Sequence, residues 1–241
     1  MKQFFAYGKN AVENIILTNP SQIKKIYITK GSSFSENVYS NIKNNKIEWE
    51  SIEKDLLSTK FEIKYSVHQG YVAVLFNFKY FEYEYLIKND CKMILMLDRI
   101  QDPQNLGAII RSASLFGVDA IIIKSINQAE ITPSVIKASA GTIYNVPIIK
   151  VSSLVACLKK LKENGFWIFT SALKDESVSI NTLDSANKTV VVIGNEGEGV
   201  SNSILNSSDI LFKIDTTNVI DSLNVSVATG IILYSFYTKK R

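Results

Sequence analysis

The chain has 241 residues, 46% hydrophobic and 21% charged, which excludes a disordered chain and allows one large domain or two small ones around a real core. Its net charge of +4 permits a polyanionic partner without demanding one. One histidine, His68, and two well-separated cysteines, Cys91 and Cys157, argue against a metal cluster and for two buried free thiols.

The start, "MKQFFAYGKN", carries too short an apolar patch for a signal peptide, and no apolar run reaches the length of a membrane span. A cytoplasmic protein with no membrane partner and no metal is expected. Only three of the 27 cationic residues are arginine: Arg99, Arg111 and Arg241. In so lysine-rich a chain an arginine marks a place where a planar, multi-donor cation is needed.

In chain order, "YGKNAVENIILTN" has helical spacing and stops before Pro20. "KKIYITK" reads as a strand, "SENVYSNIKNN" as a helix, "KIEWES" as a strand and "EKDLLSTK" as a short helix. "GYVAVLF", residues 70–76, is a buried strand. Residues 1–76 thus form a small α/β domain. In 77–90, "NFKYFEYEYLIKND", aromatics alternate with charges, which reads as a linker or an interdomain helix.

From residue 91 to 241 a steadier alternation sets in. "KMILMLD" is a strand. "DPQNLGAIIRSASLFG" is a helix with Asp102 as N-cap, Pro103 at its first position and Gly117 at its end. "VDAIIIK", "VPIIKV", "FWIFTSA", "KTVVVIG" and "DILFKI" are further strands. "TPSVIKASAG", "SSLVACLKKLKEN" and a last apolar stretch, "SLNVSVATGIILYSFYTKK", are helices. Continuous apolar strands alternating with helices imply a parallel sheet covered on both faces. Ligands bind such sheets at the carboxyl ends of the strands.

Three loops there carry polar residues. Arg111 lies in an apolar helix, so its head needs a partner or a cavity; Asn105 sits in the first turn, near free N–H groups. The residues alone leave two readings, an anion site or a structural arginine paired with Asp98 or Asp119. "GNEGEG" orders its glycines as G-x-x-G-x-G rather than the dinucleotide G-x-G-x-x-G, and Glu196 and Glu198 would repel a pyrophosphate. That turn suits a cationic or neutral ligand, or none. Ser222 and Asn224 flank Leu223 ahead of the last helix, where they read as ordinary caps or as pocket groups.

Together, "NLGAIIR", "IGNEGEG" and "SLNVSVA" resemble, in order and spacing, the three motifs of the SpoU (TrmH) family of RNA ribose 2′-O-methyltransferases. The start and "HQGYVAVL" resemble the RNA-binding domain, similar to ribosomal protein L30e, of the subgroup that methylates a guanosine of 23S rRNA. The resemblance implies an α/β methyltransferase domain whose C-terminal segment forms a deep trefoil knot, a homodimer, and S-adenosyl-L-methionine as cofactor. It implies cofactor contacts at Gly194, Ile214 and Leu223, with help from Thr170 and Ser171. It implies a catalytic set of Arg111, Asn105, Glu196, Ser222 and Asn224, and RNA contacts at Lys9 and Asn10. Family members usually carry Ile-Pro-Met where this chain has Ile214, Asp215 and Thr216. Rival readings are a tRNA substrate, an antibiotic-resistance site in rRNA, or an RNA-binding protein without activity.

Overall fold

The computed structural model describes residues 3–184, 186–195, 197–217 and 222–239. They divide into two compact units, residues 1–79 with 131–145, and residues 80–130 with 146–241.

The first unit opens with β1 (Phe5–Tyr7), a short strand that precedes the helix expected from sequence. Then follow α1 (Lys9–Thr18), β2 (Ile23–Thr29), α2 (Glu36–Asn44), β3 (Glu48–Ile52), α3 (Lys54–Phe61), α4 (Tyr65–His68) and β4 (Tyr71–Leu75). The strands pair in the order β1-β4-β2-β3, with β2 and β3 parallel and both β4 pairings antiparallel. Tyr7, Tyr27, Ile52, Leu57, Phe61, Val72 and Val74 form one core of this unit.

His68 is fully buried there. Its Nδ1 accepts from the Gly70 N–H at 3.0 Å, so the ring proton sits on Nε2, 3.0 Å from Ser58 Oγ. That hydroxyl donates onward to the Lys54 carbonyl. Burial first, then the charges of Lys54 and Lys137, lower its pKa. The histidine is therefore a structural group.

In the second unit, α5 (Glu84–Lys88) occupies part of the stretch read as a linker. Leu86 is buried in the core, with Tyr83 and Tyr85 packed against it, so these two aromatics serve packing, while Phe81 is exposed. Next come β5 (Met93–Asp98), α6 (Pro103–Leu115) and β6 (Ala120–Lys124). Asp102 caps α6, accepting from the Gln104 N–H at 3.0 Å, as its sequence signal predicts.

The chain then forms α7 (Pro133–Ala138), which clusters with the first unit although its sequence reads as one more helix of the C-terminal domain. The packing there is close. Asn14 Nδ2 donates to the Ala140 carbonyl at 2.9 Å, and Lys137 Nζ to the Val67 carbonyl at 2.7 Å. A Cβ on Gly141, whose φ is +80°, would stand 2.6 Å from the Ala11 carbonyl oxygen.

The second unit continues with β7 (Ile148–Val151), α8 (Leu154–Glu163), β8 (Trp167–Ser171), β9 (Val178–Ser179), β10 (Thr189–Gly194), α9 (Asn202–Leu205), β11 (Ile210–Lys213) and α10 (Val225–Lys239). All sheet pairings are parallel, in the order β7-β6-β5-β10-β8-β11-β9. The expected α/β parallel sheet is present. Periodicity could not show that β10 inserts between β5 and β8.

Cys91 and Cys157 are buried free thiols, each pushed up to about 11 chiefly by burial. No described helix is long and apolar enough to cross a membrane. No group of three or more His, Cys, Asp or Glu among the described residues could hold a metal.

Candidate active site

Parallel sheets expose strand-end backbone groups at their carboxyl edge, and here that edge gathers three of the expected cofactor positions. Gly194 ends β10, Ser171 ends β8, and Ile214 follows β11. β8 pairs with both β10 and β11, so the three strand ends are neighbours. Ser171 and Ile214 are half-buried. Thr170 is fully buried, and its hydroxyl donates to Ser208 Oγ at 2.6 Å, because Ser208 spends its own proton on the Ile204 carbonyl. Its side chain thus belongs to the core, one residue short of the crevice.

The turn after β10 explains its first glycine. A Cβ on Gly194 would fall 2.3 Å from the Gly199 carbonyl carbon and 2.4 Å from the Val200 nitrogen. No other residue lets the chain fold back so tightly. Asn195 bridges antiparallel to Gly199, and its Oδ1 accepts from the N–H groups of Gly197 (2.7 Å) and Glu198 (3.3 Å). Those N–H groups are therefore engaged internally, which removes the phosphate-cradle reading. Glu196 lies outside the described residues.

α6 and α10 pack against each other and carry the remaining polar groups. Asn224 stands ahead of α10. Its Oδ1 accepts from Ser226 N (3.0 Å), Ser226 Oγ (2.6 Å) and Val227 N (3.3 Å), while its Nδ2 donates to Asn105 Oδ1 at 3.1 Å. The cap reading thus describes Asn224, whose amide nitrogen is also bonded to Asn105. Ser222 is exposed and Leu223 half-buried.

Arg111 departs from expectation. The buried stripe of α6 is Leu106, Gly107, Ile109, Ile110 and Ala113, which turns Arg111 to the exposed side. Alanine and serine neighbours made the whole helix look buried when only one face is. The carboxylates weighed as its structural partners are occupied elsewhere. Asp98 lies 3.4 Å from Arg99 Nε and accepts from Ser201 N, and Asp119 accepts from the Lys92 and Met93 N–H groups.

Arg99, one of the chain's three arginines, holds the turn after β10. Its Nη1 pairs with the Glu198 carboxylate, its Nη2 donates to the Gly199 carbonyl at 3.2 Å, and its own carbonyl accepts from Asn195 Nδ2 at 3.1 Å. The rarity of arginine in this chain was the available signal.

The site offers adjoining strand ends and a turn too tight for any side chain at Gly194, and the described carboxylates beside that turn, Asp98 and Glu198, both face Arg99. Residue 10 and its neighbour Lys9 open α1 in the other unit. Both are exposed, with Lys9 Nζ 3.9 Å from Glu13 and 5.8 Å from the Tyr71 ring centroid.

A parallel α/β sheet with this carboxyl-edge site, joined to a small separate α/β unit, defines a two-domain enzyme architecture. The SpoU rRNA Methylase family matches residues 92–234, and the description "RNA 2′-O ribose methyltransferase substrate binding" matches residues 5–81. The chain belongs to the SpoU family and is an S-adenosylmethionine-dependent RNA methyltransferase. A Staphylococcus aureus protein assigned to the TrmH family of tRNA/rRNA methyltransferases is 31% identical over all of this chain and 98% of its own length. The AdoMet-bound rRNA methyltransferase from Sinorhizobium meliloti shares the fold with a TM-score of 0.78 at 23% identity, over 98% of this chain and 87% of that one. The SpoU methyltransferase AviRb from Streptomyces viridochromogenes, in complex with AdoMet, gives 0.79 at 19% identity, over 99% and 91%.

Proposed function

We propose that the protein methylates the ribose 2′-oxygen of a guanosine in 23S rRNA. The observation that carries this is the Asn224–Asn105 hydrogen bond, which ties the motif segment ahead of α10 to the first turn of Arg111's helix. The substrate-binding match over residues 5–81 supports an RNA ribose as acceptor.

When bound, S-adenosylmethionine supplies a methyl group on a cationic sulfur; the protein supplies position and electrostatics. Gly194, Ile214, Leu223 and Ser171, with the strand containing Thr170, border it. Arg111 supplies a planar, forked guanidinium. Its guanidinium grips the phosphate next to the target ribose and stabilises charge growing on the 2′-oxygen, whose proton passes to a phosphate oxygen. Asn105 and Asn224 orient the ribose, with Ser222 and Glu196 completing the site. Lys9 and Asn10 contact RNA.

The active form is a homodimer. α10 buries Val225, Thr229, Ile232, Leu233 and Phe236, yet Val227, Ile231 and Tyr234 form a second apolar face that stays exposed. Leu115 of α6 is 67% exposed, and it lies one turn from Arg111 on the same side. A second copy over this face would cover the exposed arginine and complete its pocket.

A trefoil knot is the reading of the C-terminal path. Its support is the insertion of β10 between β5 and β8, with Lys239 at the end of α10 donating to the Ile180 and Leu183 carbonyls at 2.7 Å each. The β1-β4-β2-β3 sheet supports an L30e-like first domain.

Mapping ribose methylation in total RNA with and without the gene tests the substrate. The expected result is loss of one mark in 23S rRNA. Loss of a tRNA mark instead, or no loss at all, would overturn it.

A further inference from the structure

β5 ends at Asp98, and the next residue takes an unusual backbone. Arg99 has φ of +63°, in the left-handed region that glycine enters freely and arginine does not. A side chain kept there needs a reason, and the contacts supply one. The guanidinium reaches Glu198 through Nη1 and the Gly199 carbonyl through Nη2, while Nε is buried 3.4 Å from Asp98 Oδ1. The Arg99 carbonyl in turn holds Asn195 through its Nδ2, and Asn195 Oδ1 holds the N–H groups of Gly197 and Glu198. Asp98 Oδ2 accepts from Ser201 N, two residues past the turn's end. Both ends of the turn are thus fastened to one dipeptide, Asp98–Arg99.

A planar, forked cation presents separate N–H groups to the carboxylate and the carbonyl in a fixed geometry that the flexible ammonium of lysine lacks, and the chain uses lysine almost everywhere else. Glu198 is 75% exposed, so the ion pair adds little to global stability. Its effect falls on the shape of the turn.

We propose that Arg99 is a positioning residue which, with Glu198 and Asp98, presets the 195–199 turn for the methyl donor. This rests on the reading that Gly194 and its turn border the S-adenosylmethionine site.

Calorimetric titration of S-adenosylhomocysteine and S-adenosylmethionine into the full chain tests it, with thermal unfolding of the ligand-free protein alongside. Arg99→Gly keeps the backbone conformation and removes the clamp; Arg99→Lys keeps the charge and removes the fork. Both are expected to weaken cofactor binding roughly tenfold. Glu198→Gln, which leaves the Gly199 contact, should weaken it about threefold. Unfolding midpoints should stay within about 2 °C of wild type. In turnover the KM for cofactor should rise while that for RNA does not. Cofactor affinities within twofold of wild type for both Arg99 variants would overturn the proposal. So would a loss of affinity matched by a comparable fall in unfolding midpoint, which is the mark of a merely structural residue. If the wild-type chain bound neither compound, the cofactor-site reading itself would fall, and the clamp with it.

Discussion

Asn224 donates from Nδ2 to Oδ1 of Asn105, 119 positions earlier, across 3.1 Å, while its own Oδ1 caps α10. One side chain thus fixes a helix start and ties it to the first turn of α6, through two different atoms. The two roles can be separated by chemistry.

Asn224→Asp keeps the cap acceptor and loses the amide donor. It should hold stability within about 0.5 kcal/mol of wild type and lower methylation kcat/KM roughly tenfold. Asn224→Ala loses both, and should also cost about 1 kcal/mol in denaturant unfolding. Equal stability losses in the two variants would show that the cap role is misassigned.

Arg111 is exposed on α6, so replacing it should leave folding intact. Arg111→Lys retains the charge but not two parallel donors, and should lower kcat about a hundredfold. Single-turnover methylation of 23S rRNA with cofactor in excess measures this directly. Wild-type turnover by the lysine variant would remove the arginine from the mechanism.

The exposed face of α10 yields a solution test. Tyr234 is 58% exposed, and its ring lies 5.9 Å from that of Phe116, next to Leu115 in sequence. Placing a carboxylate there should not disturb an isolated chain, since the position is open to solvent. It should be costly in a dimer seam, where an unpaired charge is desolvated. Tyr234→Glu is therefore expected to sediment as a monomer and lose most methylation activity. A wild-type chain that is itself monomeric at micromolar concentration would sink the dimer.

How much of this could be read from residues alone follows from how local each feature is. Six strands of the second sheet were legible because each is a largely apolar run, whereas the two-residue β9 (Val178–Ser179) carries no such signal; the α6 cap was legible because Asp102-Pro103 is a signal of neighbouring residues. The insertion of β10 beside β5 was not legible, since strand order depends on the whole chain. α7 was legible as a helix, but the contacts of its segment with Ala11, Asn14 and Val67 were not, because those partners lie far away in sequence. Arg111 was found by motif while its exposure was misjudged, because alanine and serine are as common on a solvent face as in a core. Arg99 was hidden because its partners, Asn195, Glu198 and Gly199, sit about a hundred residues on.

His68 predicts a pH dependence of folding. Burial lowers its pKa in the folded chain below the ordinary value of 6.5, with Lys54 and Lys137 acting in the same direction. The unfolded chain then binds a proton more readily than the folded one as the solution is acidified, so stability falls with falling pH. This contribution is present in full above about 6.5 and is lost as pH drops through the lower folded value. Protonation of Nδ1 would also end its bond from the Gly70 N–H, leaving that donor without its acceptor. His68→Gln cannot titrate. Between pH 7.5 and 5.5 the denaturation midpoint of the wild type should fall further than that of the variant. Parallel falls in the two would mean that His68 takes up its proton equally in both states.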